Sequence, residues 1–309
     1  ITISDQNEWY RYHNLFQQLL RKRLKRDYSS EAIAELHRRA SQWFEAQDLI
    51  EEAIHHALEA EDAIRVAQIV ERHRMAEMNA DRFYRLESWL SRVPEDIKHQ
   101  RSPLLICQGW ILFFRYRFTE ISTLIEQVER QHREETLEPA LLAEFNSLKG
   151  IIWFWQGQGD LSLESFQKGL EHLPNTAHLI RAETELYLGL NRYILGQKQK
   201  AIQFFKNRLQ KVGLTEFSAT SRLMGGLLFI HILSGNLPQG LETARQLEKL
   251  GKINANAYIE TWGHYGQASA LLHAHELEKS LSHFRFVADK QYYIEPRMAI
   301  DALVGLSLS

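Results

Sequence analysis

Fourteen histidines and a single cysteine are the side chains here best suited to hold a metal or attack a substrate. Glu52 and His56 stand four residues apart, so on a helix they share a face and can in principle ligate a divalent ion together. The His-Glu-x-x-His pattern of zinc hydrolases is absent, and no second cysteine supports a thiolate site. His273 and His275, two residues apart, leave a helix on different faces. His231 interrupts the apolar run Leu227–Leu233 and reads as a core residue with satisfied ring nitrogens. Cys107, within Leu104–Trp110, reads as packing. Neither a Gly-x-Ser-x-Gly elbow nor a Gly-x-x-x-x-Gly-Lys-Ser/Thr loop occurs, so the sequence offers no nucleophile turn and no phosphate cradle. The chain is not expected to be an enzyme, to hold a metal or to carry a cofactor of its own.

The elements that must position these residues are helices. Hydrophobic residues make up 44% and charged residues 25%, while six prolines and sixteen glycines are few for a many-turned β protein. Apolar residues recur at spacings of three and four in segments 31–46, 48–59, 62–78, 81–92, 103–116, 119–133, 138–156, 161–173, 176–195, 198–211, 216–234, 238–250, 254–273, 276–290 and 294–308. An earlier helix, from Tyr10 to about Lys25, shows the stripe Tyr12, Leu15, Phe16, Leu19, Leu20 and Leu24 of one buried face. Its other side carries the basic run Arg21-Lys22-Arg23 with Lys25 and Arg26, which reads as solvated charge near a helix C-terminus. Ile1–Asp5 reads as the tail of a strand whose partners are missing, so the chain looks like an excised piece.

A period organises the helices. Gly157, Gly196 and Gly235 lie 39 residues apart, and Ala274 falls 39 beyond. Within one unit Gly150, Trp153, Gly157, Phe166, Gly169 and Pro174 supply small residues for close crossing, aromatics to fill the gaps and a proline to end the second helix. Leu188, Gly189, Gly196, Ala201 and Phe205 repeat the pattern, and Gly240 and Ala244 vary it. These residues resemble the tetratricopeptide pattern stretched to about 39 residues. Each hairpin buries its apolar stripe only against neighbours, so the expected fold is all-α: a superhelical array of helical hairpins with a concave side.

First helices of such hairpins line the groove. They carry Asn146, Lys149, Trp153, Trp155, Glu185, Asn191, Tyr193, Arg222, Trp262, His264 and Tyr265. Aromatic surface with a few hydrogen-bonding groups suits a polar small ligand such as a sugar, or an extended peptide. The same aromatics also serve hairpin packing, and Trp153 and Trp155 cannot both face one way. The expected effector-binding set is Asn146, Lys149, Trp153, Glu185, Asn191, Arg222, Trp262, His264 and Tyr265.

Composition limits the partners. With 37 basic and 39 acidic side chains, the formal charge is −2, so no global field recruits nucleic acid or an anionic membrane. No apolar run approaches the roughly 20 residues of a membrane helix. One cysteine allows no intrachain disulfide, and a cytoplasmic location is expected.

One family resemblance stands out. Trp9-Tyr10-Arg11-Tyr12-His13-x-Leu15-Phe16, then Leu36-His37-Arg38-Arg39-Ala40-x-x-Trp43-Phe44, then Ala53-Ile54-x-x-Ala57-Leu58 with Glu61-Asp62, resemble MalT-like bacterial transcriptional regulators of the large ATP-binding LuxR type. The matching segment is where the winged-helix part of the ATPase module hands over to the repeat sensor. The resemblance implies residues 1–28 as the end of a winged-helix arm, 29–100 as linker helices and irregular first repeats, and 101–309 as tetratricopeptide-like repeats. Trp9, Tyr10, Tyr12 and Phe16 would then pack the arm against the array. It also implies a small-molecule effector or a regulatory protein as partner, possible self-association of the parent, ATP only in a separate ATPase module, and DNA only through a separate C-terminal reader. A constitutive protein-interaction scaffold without a small ligand is the alternative.

Overall fold

The computed structural model describes residues 13–131, 137–212, 217–291 and 296–308. The expected strand at Ile1–Asp5 and the aromatics Trp9, Tyr10 and Tyr12 lie outside these residues. Among the described residues there are seventeen helices and no strand. The fold is all-α, built of stacked helical hairpins, in two compact units, Ile1–Phe114 and Arg115–Ser309.

The first unit holds α1 (Asn14–Asp27), α2 (Ser30–Ala46), α3 (Ile50–Glu59), α4 (Ala63–Asn79), α5 (Phe83–Ser91), α6 (Glu95–His99) and α7 (Ser102–Phe114). Ser29 caps α2 by accepting from the Ala32 N–H, and Asp62 caps α4 through Arg65. Helix α6, which the periodicity does not announce, starts after Pro94 with Glu95 and Asp96 in its first turn. Carboxylates tie distant helices together. Glu51 accepts from Trp89 Nε1 at 2.5 Å and Arg92 at 3.0 Å, and Glu71 takes both donors of Arg101 at 2.6 Å. The apolar stripe of α1 is exposed: Leu15 keeps 71% and Leu19 60% of its surface, and Phe16 47%, because no described element lies over that face.

The second unit holds α8 (Phe118–Gln131), α9 (Pro139–Trp155), α10 (Gly159–His172), α11 (His178–Ile194), α12 (Lys198–Val212), α13 (Phe217–Leu233), α14 (Leu237–Ile253), α15 (Ala257–His273), α16 (Leu277–Asp289) and α17 (Pro296–Leu308). Helices α9, α11, α13 and α15 are the first members of successive hairpins. Each ends in the same way. Gly157, Gly196 and Gly235 have φ of +74°, +78° and +72°, and the next residue donates its N–H back to the carbonyls of Trp153, Arg192 and His231. This six-residue closure needs a left-handed residue, which glycine supplies without steric cost. The fourth closure differs from expectation: the residue at positive φ is His275, not Ala274, so the last interval is 40 residues.

Packing inside the hairpins follows the small and aromatic positions. Phe166 lies against Gly150 and Phe205 against Gly189, each so close that a Cβ on the glycine would sit 2.5 Å and 2.2 Å from the ring. Ser162 and Ser280 donate to the carbonyls of Gly150 and Ala268, both at 2.8 Å. Where Ala244 replaces the aromatic, no ring spaces the helices, and α14 and α15 touch backbone to backbone. A Cβ on Gly263 would stand 2.3 Å from the Glu248 nitrogen, and one on Gly251 2.3 Å from that of Glu260.

Gly263→Ala should therefore destabilise by up to about 2 kcal/mol, because a backbone clash puts the overpacking penalty at the upper end of roughly 1–3 kcal/mol, above the ~1 kcal/mol that alanine contributes through helix propensity. Gly225→Ala should have the opposite sign, since its Cβ would meet only the Trp262 ring at 3.4 Å. Thermal unfolding of the two variants, followed by circular dichroism, separates these cases: a stabilised Gly263→Ala would show that the two backbones are not in contact.

Candidate functional site

Helices α9, α11, α13 and α15 share one repeated face, called the open face for the exposed C-terminal ends of the first three, although its mid-helix positions are mostly buried. In register, Glu144, Glu183, Arg222 and Trp262 occupy one position on the four helices, 39, 39 and 40 residues apart. Arg222 Nε donates to Glu183 Oε1 at 2.5 Å, which ties α13 to α11, and the guanidinium also bonds Ser218. Trp262 extends the row as an aromatic cluster. Its ring meets Phe229 edge-on at 5.4 Å and lies 6.4 Å from both Tyr258 and Tyr265. Tyr265 donates its hydroxyl to Asp301 at 2.8 Å, fixing the ring from α17.

Arg222, Trp262 and Tyr265 are engaged within the protein: Arg222 is tied to Glu183, Trp262 is half-buried against the core, and Tyr265 is buried. The other expected residues point elsewhere. Lys149 reaches Glu129 on α8 at 2.7 Å, with its ammonium 5.4 Å above the Phe145 ring. Glu185 binds Arg208 of α12 at 2.8 Å. Asn191 is buried and donates to the Gly159 carbonyl at 2.8 Å, clasping the start of α10. Asn146 is buried, and Trp153 is half-buried.

His264 also leaves the row, turning toward α14 and α16. His264 and His283 approach Nδ1 to Nδ1 at 2.8 Å, and the His264 ring stacks on Phe286 at 3.8 Å. Only one nitrogen of such a contact can carry the proton. His264 Nε2 is buried 3.7 Å from Glu248 Oε1, so the favourable tautomer carries its hydrogen there, and His283 Nδ1 donates. Burial pushes the His264 pKa down to about 4, against the opposing pull of Glu248 and aided by His283 and Lys252. His283 is lowered by burial as well. A second pair, His37 and His56, has the same 2.8 Å contact, with His56 stacked on Phe44; burial lowers both. His56 is thereby directed to His37, while Glu52 is exposed. Among the described residues, no three His, Cys, Asp or Glu side chains cluster as metal ligands.

Three side chains on the edge of the open face were not in the expected set. Trp155, Ile194 and Leu233 close α9, α11 and α13 at 39-residue spacing, and they keep 41%, 63% and 66% of their surface. Applying the period to helix ends as well as to turns would have found Ile194 and Leu233. Repeated exposure of large apolar groups at one register is a mark of a contact surface.

Comparison with known proteins gives two findings. Residues 1–32 match the sequence model of the family described as the MalT winged helix domain. The fold is similar to that of a Signal Transduction ATPase with Numerous Domains (STAND) protein with a tetratricopeptide repeat sensor from Pyrococcus horikoshii, with a TM-score of 0.65 at 15% sequence identity. That similarity covers 96% of the present chain and 45% of the archaeal protein, so the chain spans less than half of that protein's length. No described helix is long and apolar enough to cross a membrane.

Proposed function

We propose that the chain is the sensor region of an ATP-dependent, LuxR-type transcriptional regulator of the MalT kind. It takes a small effector or a regulatory protein on the open face of α9, α11, α13 and α15, and occupancy shifts the parent between resting and active states. Such a shift requires the ligand to favour one state over the other. ATP hydrolysis and DNA reading belong to other modules of a cytoplasmic parent, and the repeats themselves do no catalysis.

The observation that supports this reading is the repeated exposure of Trp155, Ile194 and Leu233 at one register of successive hairpins, with the half-buried Trp262 in the next. The apolar edge favours a protein surface for part of the contact, because a sugar would leave Ile194 and Leu233 wet. Calorimetry with candidate sugars and pull-down with candidate regulators test it. Ile194→Ser with Leu233→Ser should weaken the bound partner by about tenfold or more, at unchanged helix content. Undiminished binding by this variant would remove the open face from consideration.

A further inference from the structure

Helix α12 carries Lys198, Lys200, Lys206, Arg208 and Lys211 and no acidic residue, in a chain whose overall charge is slightly negative. Among the described residues, only Arg208 of these five meets a carboxylate, that of Glu185. The helix borders an open trough of about 590 Å³ lined from α10, the end of α11 and α12. Arg192, Lys200 and Lys211 line it with Phe204 and the amides of Gln167 and Asn207, and no acidic side chain does.

Arg192 is the unusual member. Its guanidinium lies 4.8 Å above the Phe204 ring, and burial pulls its pKa below the usual arginine value. The equivalent register holds Trp153, His231 and Leu271 in the other three hairpins, so a permanent cation stands where the array otherwise places a ring or an aliphatic side chain. A partly dehydrated guanidinium stacked on a ring, without a carboxylate, gains most from an external anion that can accept its planar fork. Asn207 is oriented to help: its Oδ1 accepts from Gln203 Nε2 at 2.6 Å, which leaves its amide hydrogens to donate.

We propose that this trough binds a small organic anion bearing two or more negative charges, either a phosphate ester or a polycarboxylate, held by Arg192, Lys200 and Lys211. Its volume falls in the range of roughly 300–1,000 Å³ that small-molecule sites occupy. From Lys200 to Lys211 the helix rises only about 16 Å, a span that suits one small ligand better than a nucleic-acid backbone or a long peptide.

The test is calorimetry on the full 309-residue chain with pyrophosphate, glucose 6-phosphate and citrate, with glucose as the uncharged control. At least one anion should bind saturably with a Kd below about 1 mM, and glucose should not. Preference for glucose 6-phosphate assigns the phosphate ester, preference for citrate assigns the polycarboxylate, and binding of pyrophosphate alone, which is inorganic and no ester, overturns the organic ligand. Lys200→Gln with Lys211→Gln, two surface changes that leave the fold intact, should weaken binding about tenfold, and Arg192→Met should do so independently. Lys279→Gln, remote from the trough, should change nothing. The proposal is overturned if no small anion saturates, if the double variant binds as tightly as the parent chain, or if only an oligonucleotide or an acidic peptide binds.

Discussion

Arg222→Met is expected to destabilise the second unit by about 3 kcal/mol or more, although it removes a residue from the face proposed to bind ligand. Glu183 and Arg222 keep only 7% and 13% of their side-chain surface, and the 2.5 Å bond between them links equivalent positions on neighbouring helices. Removing the cation takes one partner from a carboxylate in a poorly solvated place, and breaking such a buried pair typically costs about 3–5 kcal/mol. The pair itself is worth much less than that, because forming it has already taken two charges out of water. Hence Glu183→Leu combined with Arg222→Met should recover to within about 1 kcal/mol of the parent chain. For a unit of this size the single change corresponds to roughly 6–12 °C in unfolding midpoint. A small shift for Arg222→Met would sink the tie, and if binding were lost at the same time it would recast Arg222 as a direct ligand contact.

Acid should destabilise the α14–α15–α16 region through His264. Its folded pKa of about 4 lies below the ordinary value of 6.5, so between these pH values the unfolded chain binds a proton that the folded chain does not. Stability therefore rises with pH across this window. It is complete above about pH 6.5, falls as the pH drops, and stops falling from this source below about pH 4, with a total near 3 kcal/mol. The charged and titratable groups acting on the ring are Glu248, His283 and Lys252, and Arg245 acts on His283. Burial raises the Glu248 pKa, but bonds from Lys252 and Gln267 and the charge of His264 together hold it below its ordinary value of 4.5, so its own contribution disappears only at lower pH. Denaturant melts at pH 7.0, 5.5 and 4.5 should show the loss, and His264→Gln should flatten it. An unchanged slope in that variant would place the acid sensitivity in another group, with the His37–His56 pair the next to examine.

The hairpin closures were legible in the sequence because a left-handed residue is a local requirement: Gly157, Gly196 and Gly235 mark it by type alone. His275 escaped because a histidine can be forced to φ +60° by its surroundings, and an interval of 40 in place of 39 hides it behind Ala274. The short helix α6 was missed because five residues do not complete two turns of apolar pattern. The stripe on α1 reads as buried from its spacing, yet spacing says nothing about whether a partner covers it.

The candidate site was less legible than the fold, for a related reason. Periodicity assigns residues to first helices but does not say which neighbour each one meets. Lys149, Glu185 and Asn191 have the polarity of ligand contacts, and their partners Glu129, Arg208 and the Gly159 carbonyl lie 20, 23 and 32 residues away, beyond the reach of any local rule. Arg222, Trp262 and Tyr265 likewise have internal partners, in Glu183, Phe229 and Asp301, that periodicity does not announce.

The contact between α14 and α15 also has a mechanical meaning. At the earlier joints, Phe166 and Phe205 form a layer of side chains between helices, and such a layer can slide and re-pack by small rotamer adjustments under load. At Gly251 and Gly263 there is no such layer, and main chain bears on main chain. A pull along the second unit will be taken up as strain among α9 to α13, while α14 and α15 move as one stiff lever.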